Sequence, residues 1–143
     1  MNAYNESYAG EIIETQSEIF LQIREQLPGV DEKWFIESWM KSKIRSRLDK
    51  AYPKWANMMP EELIYRFITE ECGGEYKRGE SWGGFLPSWV GIMYAYYQWT
   101  YNISSKEVIK ELPLNLMERA FVPFHQAGEQ TALIKLREIA VKK

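Results

Sequence analysis

Apolar residues recur along most of the chain at spacings of three and four, and no segment alternates strictly, so the predicted elements are helices. The first runs from near Ser7 to about Leu27, with Ile12, Ile13, Gln16, Ile19, Phe20, Ile23 and Leu27 on one stripe. Leu-Pro-Gly-Val then breaks it. Asp31 is placed to cap a second helix, because its carboxylate can accept the free amide protons of a first turn. That helix is expected over 31–52, with Ile36, Met40, Ile44, Leu48 and Ala51 inward and Pro53 ending or kinking it. A third starts at Pro60, whose missing amide hydrogen costs nothing at a first helical position. Leu63, Ile64, Phe67 and Ile68 form its stripe, and Cys72-Gly73-Gly74 stops it.

Residues 73–84 hold five glycines and no apolar period, and form the longest loop. Between Trp82 and Tyr101, eight of twenty residues are aromatic. The helix that Pro87 opens there has almost no polar face, which places it at the centre of the fold, wrapped by other helices. Ser104 with Glu107 reads as a capping box for a short helix, Ser105 to Leu112. Leu114–Val122 follows and is expected to be broken by Pro123. A last helix, from Gln126 or Glu129 to Ala140, turns Ala132, Leu133, Leu136 and Ile139 inward. The expectation is all-α: one domain over 1–143, six or seven helices around a central aromatic-rich helix at about 87–102.

At 143 residues such a chain is long enough to bury a core without metal or disulfide staples. Eighteen basic against twenty acidic side chains give a net charge of −2, a balance that makes nucleic acid an unlikely default partner. The single Cys72 cannot form an internal disulfide and suits a reducing compartment. The first residues carry no basic-then-apolar signal pattern, and Phe85–Tyr101 falls short of the ~20 residues that span a bilayer. A cytoplasmic protein without membrane contact is expected.

Chemistry is harder to find. The only histidine, His125, sits at a helix break where an imidazole can cap a carbonyl, and no Gly-x-Ser-x-Gly signature offers a nucleophile. One histidine and one cysteine do not build a usual zinc site. Catalytic residues, metal and cofactor are therefore all expected to be absent. Glu70 and Glu71 fall in a last helical turn, the unfavourable end of the helix dipole, which makes them a candidate cation or arginine site. The 73–84 loop lacks the Walker pattern and follows a helix, not the strand a dinucleotide fingerprint requires. It reads as a flexible connector, or as a segment contacting a partner or ligand. Ser104–Phe124 mimics a helix-turn-helix, but its second helix is apolar in the manner of a packing helix.

Three functional readings follow. The first is a non-enzymatic helical protein that binds another protein or itself through Trp39, Lys43, Arg47 and Lys50, an aromatic-plus-basic stripe, and through Trp82 and Phe85, which no packing pattern forces inward. Aromatic residues and arginine are the side chains most favoured at binding hot spots. By size and composition, without a diagnostic motif, the chain resembles the small helical accessory proteins that bacteria encode beside toxins or phage-defence enzymes. The second is a small-molecule or nucleotide site between helix 87–102 and loop 73–84, lined by Glu70, Arg78, Tyr94, Tyr97 and His125. The third is nucleic-acid binding through the basic stripe of helix 31–52.

Overall fold

The computed structural model describes residues 6–50, 55 and 57–142. Among the described residues there are eight helices and no strand. They are α1 (Glu6–Gln26), α2 (Glu32–Met40), α3 (Lys43–Asp49), α4 (Pro60–Glu71), α5 (Leu86–Tyr101), α6 (Ser105–Glu111), α7 (Leu114–Phe124) and α8 (Glu129–Val141). The all-α class holds, but the count exceeds six or seven because segment 31–52 is not one helix. α2 ends at Met40, where the Lys41 amide bonds back to the Glu37 carbonyl at 3.3 Å and the Ser42 amide to the Trp39 carbonyl at 3.0 Å. Ser42 then adopts an extended conformation and caps α3, its hydroxyl accepting the Arg45 N–H at 3.0 Å. A short polar side chain of this kind offers the backbone an alternative to continuing the helix. The inward position of Ala51 and the break at Pro53 lie outside the described residues.

Other boundaries follow their local signals. Asp31 accepts the Trp34 N–H at 3.1 Å, Ser104 accepts the Glu107 N–H at 3.2 Å, and Pro60 opens α4. Pro123 does not break α7. It lies inside the helix, one residue from its end, and takes away a single intrahelical bond, the one to the carbonyl of the exposed Arg119.

The aromatic helix α5 lies along α1 and also packs against α6, α7 and α8. Where α1 and α5 meet, Gln16 donates to the Gly91 carbonyl at 2.9 Å. A Cβ on Gly91 would stand 2.9 Å from the Gln16 carbonyl oxygen and 3.0 Å from the Phe20 ring, so only hydrogen fits between the two helices. Trp89, Val90, Met93, Tyr94, Ala95 and Tyr97 are all buried.

A polar network crosses this core. The guanidinium of Arg45, fully enclosed, bonds the Asp49 carboxylate and the Gln98 side-chain oxygen, and its Nε reaches Gln16 at 2.7 Å. Gln98 donates to Asp49 at 2.6 Å, and the Ser105 amide donates to the second Asp49 oxygen at 3.3 Å. Four helices are thereby tied through one charge pair: α1, α3, α5 and the start of α6.

Tyr94 donates its hydroxyl to the Leu112 carbonyl at 2.6 Å. Tyr97 donates to Glu111 at 2.7 Å and accepts from Arg137 at 3.0 Å. Burial raises the Tyr94 phenol well above its ordinary range. It also pushes Tyr97 up to about 12, outweighing the hydrogen bond from Arg137 that favours the phenolate. An unfolded phenol ionises near 10. The stability these groups contribute is therefore complete below about pH 10 and is lost as the pH rises toward the folded value. In an alkaline phenolate-absorbance titration, two phenols should appear late and together with unfolding. The Tyr94→Phe and Tyr97→Phe variants should each remove one of them; early titration of either residue would contradict its placement.

Candidate interaction surface

The loop between α4 and α5 is stitched down along most of its length. The Asp31 amide donates to the Lys77 carbonyl at 2.8 Å and the Gly79 amide to the Gly29 carbonyl at 3.1 Å, framing an antiparallel bridge between Val30 and Arg78. The Tyr76 hydroxyl and the Arg78 guanidinium both donate to the Pro28 carbonyl, at 2.8 and 3.1 Å. Further along, the buried carboxylate of Glu32 accepts the amides of Trp82 and Gly83, and Arg24 reaches it at 3.4 Å. The Trp82 indole N–H donates to Glu118, which also pairs with Lys33 at 3.1 Å. These two donors, the indole first, hold the Glu118 carboxyl below its ordinary range. The flexible connector expected from the glycines is thus a fastened strap, and Trp82 is half-buried in it.

Gly83 and Gly84 then turn the chain with φ of 70° and 59°, a left-handed path that glycine takes without steric cost. The turn delivers Phe85 to the start of α5 with 78% of its surface exposed. Two more apolar side chains stand open on α1 and α7, the helices that flank the start of α5: Leu21 at 52% and Val122 at 74%. Contacts on either side define where those helices stand. On the α1 side, Ser17 faces Ser88 at 3.5 Å, and the Arg24 guanidinium lies beside Gly83. Leu21 lies between Ser17 and Arg24 on the same helical face. On the α7 side, Glu118 meets Trp82 and the Phe121 ring meets Trp89 edge-on at 5.5 Å, with Val122 next in the chain. Phe85 therefore projects between α1 and α7, carried by a strap and a helix that are both anchored.

The remaining sequence-derived candidates scatter. Trp39 is not a contact residue: it is fully buried, stacked on Phe35, edge-on to Phe67 at 5.6 Å, with its indole donating to Gln16 at 3.2 Å. The break at Lys41–Ser42 turns it away from Lys43, Arg47 and Lys50, so no joint aromatic-plus-basic stripe exists. Lys43 and Lys50 are exposed, and Arg47 lies over the Trp55 ring at 5.1 Å. The residues expected to line a pocket between α5 and the 73–84 loop are not brought together around one. Tyr94 and Tyr97 are enclosed, Arg78 holds the 28–31 turn, and Glu70 pairs with Arg66 at 3.2 Å. His125 donates to the Phe121 carbonyl and stacks on that ring at 4.2 Å, a helix-end cap. Glu71 accepts the amides of Lys43 and Ile44 at 2.8 and 2.9 Å, so its position at the end of α4 serves the start of α3.

A concavity does occur on the other side of the strap, about 520 Å³, lined by Trp34, Ser38, Phe67, Cys72 and Tyr76 with Lys41 and Lys77 at its edge. Three of its four charged groups are already engaged: Lys41 with Glu37 at 3.1 Å, Lys77 with Asp31 at 3.8 Å, and Glu71 with α3, while Glu75 stands exposed. Burial, helped by the Glu71 charge, raises the Cys72 thiol, which makes it a poorer nucleophile. Among the described residues, no cluster of histidine, cysteine and carboxylate side chains is arranged to hold a metal ion, and no helix is long and apolar enough to cross a membrane.

Sequence reasoning missed Leu21 and Val122. Leu21 carried a usable signal, since it lies off the buried stripe of α1. Comparison with known proteins returned no matching family model, no matching curated relative and no matching solved structure.

Proposed function

We propose that this protein acts by binding another protein, or a second copy of itself, through the apolar surface around Phe85, and not by catalysis. The exposure of Phe85 carries this reading. A phenylalanine left open by a flexible loop costs little and means little, but this one is held out by a strap bonded to Glu32, Glu118 and the 28–31 turn. A rigidly presented aromatic loses little conformational freedom on binding, and exposed apolar clusters rimmed by polar groups mark interaction sites. Arg24, Lys33 and Glu118 supply that rim. The size of the chain fits an accessory partner of the antitoxin-like or defence-related kind.

The test uses tagged wild-type protein and Phe85→Ser as baits in extracts of the source cells. The substitution removes no folded contact of consequence, so its stability should stay within about 0.5 kcal/mol of wild type. Recovery of the bound protein should fall about tenfold or more, as expected for loss of a central anchor. Equal recovery by both baits would overturn the reading.

A further inference from the structure

We infer that a second surface, the groove between α1 and the start of α4, takes a basic amphipathic helix of a partner protein. The two helices pack together, and beside them lies a concavity of about 410 Å³. Glu11, Glu14 and Glu18 line it from α1, three and four residues apart and so on one helical row. Glu61, in the first turn of α4, lines it too. All four are exposed, and among the described residues none has an ion-pair partner. No lysine or arginine among those residues lines the groove. By contrast, Glu37, Glu62, Glu70, Glu107 and Glu118 are each paired with a lysine or arginine. Like charges at three- and four-residue spacings repel one another, and the cations of a partner relieve that repulsion.

The rest of the lining narrows the partner. Gln22 continues the α1 row, and its enclosed side-chain oxygen takes no hydrogen bond, so the groove is short of donors as well as cations. Met58 and Met59 add apolar surface to it, and Met59 is exposed. Thioether chains adapt to whatever apolar group meets them, whereas a purely cationic chain would leave them uncovered. The carboxylates are not arranged to hold a metal ion, so the groove suits several spread cations and not one. Nucleic acid and anionic lipid are repelled by it. A helix with lysines or arginines beside an apolar stripe supplies both needs at the three- and four-residue spacing of the carboxylate row. That row lies on a different face of α1 from Ser17, Leu21 and Arg24, which separates the groove from the Phe85 surface.

Isothermal titration of the whole protein with three short helical peptides tests this: a Lys–Leu amphipathic peptide, its Glu–Leu counterpart and a Lys–Ser version without the apolar stripe. Wild type should bind the Lys–Leu peptide, more weakly as salt is added, and should ignore the Glu–Leu one. The Lys–Ser peptide should bind about tenfold more weakly, having nothing to cover the methionines. The double variant E14K/E18K should lose about tenfold or more in affinity for the Lys–Leu peptide, because it sets cation against cation. Met59→Ser should lose about threefold or more. E80K/E138K makes the same change in net charge at exposed positions outside the groove and should stay within about twofold of wild type. All these positions are exposed, and circular dichroism melts confirm that the variants are folded. Phe85→Ser should bind the peptide as wild type does, whatever becomes of the Phe85 reading. Failure of wild type to bind the Lys–Leu peptide overturns the inference. So do equal losses in E14K/E18K and E80K/E138K, which would reduce it to net charge, and equal binding of the Lys–Leu and Lys–Ser peptides. Loss of the peptide in Phe85→Ser would move it to the other surface. Self-association that E14K/E18K abolishes in light scattering would make the occupant a second copy and not a partner.

Discussion

Asp49→Ala should destabilise the protein by about 3–5 kcal/mol, the usual cost of stripping one partner from a buried ion pair. Arg45 is completely enclosed, so its charge cannot turn to water when the carboxylate is removed. The substitution also strands the Gln98 amide and the Ser105 backbone N–H, both of which donate to Asp49. What stays with the guanidinium are two neutral oxygens, from Gln16 and Gln98. Against a total stability of about 5–15 kcal/mol for a domain of ordinary size, that loss removes a large share of the folded population's margin. Urea unfolding followed by circular dichroism measures it, with the shift in midpoint multiplied by the slope giving the loss. A companion double variant, Arg45→Met with Asp49→Leu, removes both charges and should cost clearly less than Asp49→Ala alone. If Asp49→Ala cost under about 1 kcal/mol, the pair would have to be solvated and the network a surface feature.

That network shows where sequence reasoning stops. The stripes of α1 and α4 and the caps at Asp31, Pro60 and Ser104 are local patterns, each contained within one or two helical turns, and they place those helices well. Gln16 and Gln98 were visible as polar residues at apolar positions, and Arg45 and Asp49 as an i, i+4 pair. Nothing local says that the four converge, because the contacts join residues 29 and 53 positions apart. The strap failed for the same reason. Five glycines describe a chain able to bend, whereas its rigidity comes from Glu32, fifty residues away from Trp82. The break at Lys41–Ser42 had a local signal in Ser42, a good N-cap residue. It was overridden by a basic spacing that continues unbroken through the kink. Of the interaction surface, Phe85 was legible because no apolar period claimed it. Leu21 and Val122 stand on the two helices that flank the start of α5, a placement that no local pattern carries.

Trp39→Ala should cost about 3–5 kcal/mol, the range for emptying a large aromatic site in a core. The indole stacks on Phe35, takes Phe67 edge-on at 5.6 Å and has no solvent exposure, so its removal opens a cavity between α1, α2 and α4. Its hydrogen bond is the smaller part. Gln16 keeps a stronger donor in the Arg45 Nε at 2.7 Å, against 3.2 Å from the indole, and is not left unpaired. Trp39→Phe retains most of the ring volume while losing that bond, and should cost about 1 kcal/mol for the hydrogen bond plus a modest packing term. A wide gap between the two variants in chemical denaturation therefore assigns the residue to the core. The same pair of measurements separates the two roles that a tryptophan four residues before Lys43 can have. A surface contact residue would change stability by no more than about 0.5 kcal/mol in either variant and would lose a partner instead. Small, equal effects on stability would return Trp39 to the surface and reopen the aromatic-plus-basic stripe as a binding site.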